Sequence, residues 1–83
     1  MAKFFRPAIS ITVNEGFSGA PEDFVYRRKK IAVRQIDRRW RIREGWWRSE
    51  VAREYFQVET SRFTCMVYRD MLAGGWYLQR IYD

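Results

Sequence analysis

Histidine is absent from the 83 residues, and cysteine occurs once, at position 65. Without histidine the common zinc ligand sets cannot be assembled and the usual general base is missing, while a single thiol excludes an intramolecular disulfide. Cys65, set in Phe-Thr-Cys-Met-Val, reads as a small buried hydrophobe with no partner base in sequence reach. The carboxylates are scattered, with no spacing that pairs two of them for acid–base work, so an enzyme is the least supported class and no metal or cofactor is expected. No apolar run approaches the roughly 18 residues of a membrane helix, and no secretory signal is present. The expectation is a cytoplasmic protein without membrane association. No segment is low in complexity, and no period of roughly 20–50 residues repeats.

Aromatic residues, by contrast, are abundant. Four Trp, five Tyr and six Phe make up 18% of the chain, and each buried ring removes more apolar surface from water than an aliphatic side chain. That is how a chain near the lower size limit for a self-sufficient core builds one. Positive charge is the second surplus, with sixteen Lys and Arg against ten Asp and Glu. It is concentrated: Arg27, Arg28, Lys29, Lys30, Arg34, Arg38, Arg39, Arg41, Arg43 and Arg48 face only Asp37 and Glu44 in that quarter of the chain. A domain with one strongly positive region usually meets a polyanion, of which nucleic acid is the commonest. The plainer reading is a basic segment that solvates one face.

Taken in order, residues 1–6 read as a flexible end and 7–83 as one domain. Pro7–Val13 alternates, with Ile9, Ile11 and Val13 on one side, as a half-buried strand does. Asn14–Pro21 concentrates turn formers, and no helix follows to turn it into a phosphate-binding loop. Asp23–Arg28 and Lys30–Asp37 form a β-hairpin with a cationic tip. The apolar phase slips between Val33 and Ile36, and a bulge near Arg34 or Gln35 restores it. Residues 38–43, if extended, put Trp40 and Ile42 on the core face and Arg39, Arg41 and Arg43 on the other. Those guanidiniums then stand roughly 6.6–6.8 Å apart, a repeat suited to successive phosphates, or else form a solvated outer face.

Glu44-Gly45 breaks the strand before Trp46-Trp47. Neighbouring strand residues face opposite ways, so at most one indole is easily buried while its neighbour faces solvent or a partner, where it can stack on a base or cover an Arg stem. Residues 49–56 suit either a Ser49-capped helix or a strand, and a strand from about 52 to 59 is favoured. Arg62–Arg69 alternates Phe63, Cys65 and Val67 inward. Asp70–Gly75 allows one helical turn before a tight reversal, and Trp76–Tyr82 is strand-like. The fold class is therefore all-β, a small antiparallel barrel or sandwich of six to seven short strands with at most one short helical turn.

Phe24-Val-Tyr-Arg-Arg, Ile36-Asp-Arg-Arg-Trp-Arg, Trp46-Trp-Arg, Arg53-Glu-Tyr-Phe-Gln-Val and Trp76-Tyr-Leu-Gln-Arg-Ile-Tyr-Asp83 together resemble a family of small uncharacterised bacterial domains. These are found alone or associated with error-prone Y-family-like polymerase accessory proteins. The resemblance covers about residues 7–83 and departs from the family's pattern at Met71–Gly75. It implies a setting in DNA repair and supplies no site residues. The residues themselves point to a nucleic-acid-binding accessory domain, DNA favoured and backbone-directed. Its contacts would come from Arg27, Arg28, Lys29, Lys30, Arg39, Arg41, Arg43 and Arg48, with Trp46 or Trp47 stacking. The competing reading is a protein-interaction module, either a homodimer or a partner of a repair-polymerase accessory protein, since Tyr, Trp and Arg also dominate protein interfaces.

Overall fold

The structure, a computed structural model, describes residues 2–46 and 49–82, with the side chains of 46 and 49 outside that description. Six strands account for nearly all of it: β1 (Lys3–Glu15), β2 (Pro21–Tyr26), β3 (Lys29–Trp46), β4 (Ser49–Thr60), β5 (Thr64–Asp70) and β6 (Trp76–Tyr82). Each pairs antiparallel with the next, and β1 pairs with β6 to close a barrel. Residues 49–56 are strand, and no helix occurs among the described residues. Strand β1 begins at Lys3, ahead of the proline expected to start it.

Two strands are too long for a single neighbour, and this closes the barrel. Lys3–Ile11 of β1 lies against β6 and Thr12–Glu15 against β2. Lys29–Ala32 of β3 pairs with β2, and Val33–Trp46 pairs with β4. A strand passing between neighbours must bend, and β-bulges supply bend and twist. Strand β3 has the bulge expected between Val33 and Gln35 and a second one between Ile36 and Arg38. The second was not read from the sequence, and it decides where the site residues point.

The interior is filled by Ile11, Phe24, Ile31, Phe56, Val58, Cys65, Val67, Trp76, Leu78 and Ile81, with Ile9, Val13, Val33 and Phe63 packed against them. The expected alternations of β1, β2 and β5 are therefore observed. At Asp70–Gly75 the chain makes a single capped turn, in which the Gly74 N–H donates to the Asp70 carbonyl at 2.9 Å. The Asp70 carboxylate accepts hydrogen bonds from the N–H groups of Leu72 and Ala73, both at 3.0 Å. These bonds hold the Asp70 pKa below the usual carboxylate range. Gly74 and Gly75 then take φ of 81° and 91°, a conformation open to glycine and strained for other residues.

Candidate functional site

The second bulge inverts β3 beyond Asp37. Because side chains alternate with period two, one extra residue exchanges the faces of everything after it. Trp40 and Ile42 stand opposite Tyr55 and Arg53, on the outer surface, whereas Arg39, Arg41 and Arg43 stand opposite Phe56, Glu54 and Ala52 of the inner face. The expectation that Trp40 and Ile42 are core residues and the arginines an outward row is thus reversed. Near this end of the barrel the inner face opens to solvent, which is what lets it accept guanidinium groups.

Arg39 and Arg41, joined by Arg69 of β5, converge on Glu54, which is only 1% exposed. Arg39 Nε donates to Glu54 Oε2 at 2.9 Å, Arg41 Nε to the same oxygen at 3.3 Å, and Arg69 Nη2 to Oε1 at 2.8 Å. Burial by itself raises the Glu54 pKa, but the hydrogen bond and charge of Arg39, followed by those of Arg41, outweigh it and hold the carboxyl below its ordinary value. Arg69 also reaches Glu15 at 3.3 Å, and Trp76 Nε1 donates to the other Glu15 oxygen at 3.2 Å. Arg39 Nη2 donates to the Ser18 carbonyl at 3.1 Å, tying the β1–β2 loop to β3. Arg43 pairs with Glu50 at 3.0 Å. All three members of the row have carboxylate partners within the fold, so they are less free for phosphate than an outward row would be.

The outer surface holds a feature that the sequence reading missed. Trp40, Tyr55, Tyr68 and Tyr77 occupy directly paired positions on β3, β4, β5 and β6. Their ring centroids lie 5.4, 5.1 and 5.2 Å apart in succession, with interplanar angles of 9°, 41° and 24°. Arg38 lies over Trp40 at 4.8 Å and Arg53 over Tyr68 at 4.5 Å, and Arg53 also donates to the Tyr55 hydroxyl at 3.1 Å. Burial of the ring pushes the Tyr68 hydroxyl pKa up. Tyr68 could be placed outward from the sequence, but the ladder emerges only once the register across four strands is known.

The cationic hairpin tip is where the sequence placed it, though the turn itself is Arg27-Arg28. Both take positive φ, 52° and 66°, the left-handed pair of a two-residue hairpin turn that favours Asn and Gly. Lys30 is drawn back to Asp23 at 3.8 Å. Beside the tip stands the β4–β5 turn, where Thr60 Oγ1 donates to the Phe63 carbonyl and accepts from the N–H groups of Arg62 and Phe63. Tyr26 meets Phe63 edge-on at 6.1 Å and Phe5 at 6.4 Å. Tyr26, Arg27, Lys29, Arg62 and Phe63 line an open depression of about 370 Å³. Among the described residues no carboxylate lies within ion-pair distance of Arg27, Arg28, Lys29 or Arg62.

Of the remaining candidates, Trp47 and Arg48 lie outside the described residues, as does the Trp46 side chain. The tip and the row share β3 but sit at opposite ends of it. Cys65 is fully buried, and burial pushes its pKa up to about 12. Two carboxylates do meet: a hydrogen bond that protonated Glu59 donates to Asp37, together with the Asp37 charge, raises the Glu59 pKa on the exposed outer surface, and Gln35 Nε2 donates to Asp37 at 2.8 Å. The bulges create that contact. Among the described residues no group of three or more potential ligands could hold a metal ion, and no helix is long and apolar enough to cross a membrane.

A protein-family model described as a domain of unknown function (DUF6504) matches residues 1–83. No curated protein and no solved structure matches the chain.

Proposed function

The chain belongs to the DUF6504 family of domains of unknown function, and on that footing we propose that it is a nucleic-acid-binding accessory domain whose contact surface is the β2–β3 tip. Arg27, Arg28, Lys29 and Arg62 engage phosphates, and the rings of Tyr26, over which the Arg27 guanidinium lies at 5.4 Å, and Phe63 line the depression between them. The reading is backbone-directed, because the tip presents cations suited to phosphates and no recognition helix to read base edges in a major groove occurs among the described residues. The motif resemblance to bacterial domains associated with error-prone polymerase accessory proteins supports DNA and damage tolerance as the setting.

One observation carries this reading. Two arginines occupy φ > 0 positions at which a non-glycine residue pays roughly 1–2 kcal/mol, with no carboxylate among the described residues within ion-pair distance to offset their charge. Strain held at a charged tip is what a contact surface would require and what stability alone would remove. The test is the double variant Arg27→Asn, Arg28→Gly, which suits the turn better. We expect its unfolding free energy to rise by about 1 kcal/mol while fluorescence anisotropy shows weaker binding to single- and double-stranded oligonucleotides. Unchanged affinity would refute the site.

A protein-interaction role is the second reading, favoured by a different observation: the long edge of β3 that has no strand partner among the described residues.

A further inference from the structure

Strand β3 has only one hydrogen-bonded neighbour over most of its length. From Val33 to Trp46 it pairs with β4, whereas its pairing with β2 ends at Ala32. Its other edge therefore has no strand partner among the described residues. Exposed edges are commonly blunted by bulges, proline or lysine. The first part of this one is blunted by the bulges at Val33/Gln35 and Ile36/Arg38, and at Arg39 the Ser18 carbonyl approaches. Beyond that point the ladder is regular from Arg39 to Trp46, and the segment Trp40–Gly45 contains no bulge, proline or lysine.

The two faces of this edge differ in chemistry. Arg41 and Arg43 line one, with side chains 65% and 69% exposed. Trp40 and Ile42, both half-buried, line the other. Arg41 shares Glu54 with Arg39 and Arg69, so three guanidiniums divide one carboxylate. Each arginine of the pair retains N–H donors beyond those it uses. Side chains directly across a strand pair interact, opposite charges favourably and like charges unfavourably.

We infer that the Trp40–Gly45 edge of β3 accepts an extended acidic peptide segment of another protein as an added antiparallel strand. The segment places carboxylates opposite Arg41 and Arg43 and apolar side chains opposite Trp40 and Ile42. Main-chain hydrogen bonds to the free edge supply affinity, and the alternation supplies selectivity. A second copy of this chain is disfavoured as occupant, because edge-to-edge pairing would set arginine against arginine. The inference is independent of the nucleic-acid reading, which concerns the opposite end of β3.

The probe is a fluorescein-labelled peptide, Glu-Val-Glu-Val-Glu-Val-Glu, measured by anisotropy against the full chain, with amide hydrogen exchange of the complex followed by NMR. Two further peptides carry backbone N-methyl groups either on the valines or on the central glutamates, leaving the charge unchanged. We expect the parent to bind and to slow exchange at alternate residues between Trp40 and Gly45. We also expect at least a tenfold loss with one N-methylated peptide and little with the other, because only one edge of the peptide faces β3. Arg41→Glu, Arg43→Glu should lose binding by a similar factor, and the peptide arms on the unaltered protein decide the matter if that variant misfolds. Equal binding by all three peptides, equal loss with both N-methylated forms, or no binding at low salt would overturn the inference. A concentration-dependent dimer protecting these amides without peptide would overturn it in favour of a second copy. An oligonucleotide that protects them and displaces the peptide would assign the edge to nucleic acid.

Discussion

Glu54 is the residue on which the arginine cluster depends. Replacing it by Gln leaves Arg39, Arg41 and Arg69 facing one another without the charge that gathers them. Because those guanidiniums are 28–65% exposed and keep some of their hydration, the expected cost is about 2 kcal/mol, below that of breaking a fully buried pair. The pH dependence has a definite sign. The Glu54 pKa is lowered in the folded state, so its contribution is complete above the unfolded carboxylate value and is lost as pH falls through the folded one. Urea unfolding at neutral and acidic pH should therefore show a smaller gap between wild type and Glu54→Gln in acid. A gap that stays constant with pH would contradict this assignment. Thirteen residues separate Arg41 from Glu54, and the pairing could not be read from spacing. It became visible only with the β3–β4 register.

At the level of elements, β3 governs the molecule, and its second bulge marks the boundary of what could be read from the sequence. The alternations of Ile9, Ile11 and Val13, and of Phe63, Cys65 and Val67, are regular and place their faces correctly. The first bulge announces itself as a slip between Val33 and Ile36. The second leaves no such mark, because Trp40 and Ile42 are as apolar as core residues and the arginines as polar as surface ones. Tertiary pairing made the opposite choice: Trp40 joins the ladder with Tyr55, Tyr68 and Tyr77, and the arginines find Glu54 and Glu50. The ladder buries Tyr55 and Tyr68 on a surface normally left to solvent. Truncating Tyr68 to Ala should destabilise the fold by about 3 kcal/mol. Tyr68→Phe, which keeps both ring contacts, should cost less than about 1 kcal/mol. Thermal unfolding of the two variants checks this, and similar losses in both would argue that the hydroxyl matters more than the stacking.

At the scale of the whole molecule, closure through two long strands joins all six strands in one ring of pairings, with Cys65 in its buried interior. The thiol is fully buried and its pKa is pushed up to about 12, so it should react with a disulfide reagent only when the barrel opens. Labelling in native buffer is expected to proceed at the global opening rate and to accelerate in the Glu54→Gln variant. Fast labelling of the native protein would mean that the barrel opens locally. The same closure separates two positively charged regions: the tip, without internal counter-charge among the described residues, and the row, whose arginines are paired with Glu54 and Glu50. The central functional claim is that the tip meets the polyanion. Its most direct test is the salt dependence of oligonucleotide binding for wild type, for Arg28→Gly, Lys29→Gln, Arg62→Gln, and for Arg39→Gln, Arg41→Gln. With each neutralised phosphate contributing a log–log slope of roughly 0.7–0.9, the account predicts that the tip variant loses about two units of slope or more and the row variant almost none. A slope that falls in the row variant and is unchanged in the tip variant would contradict it.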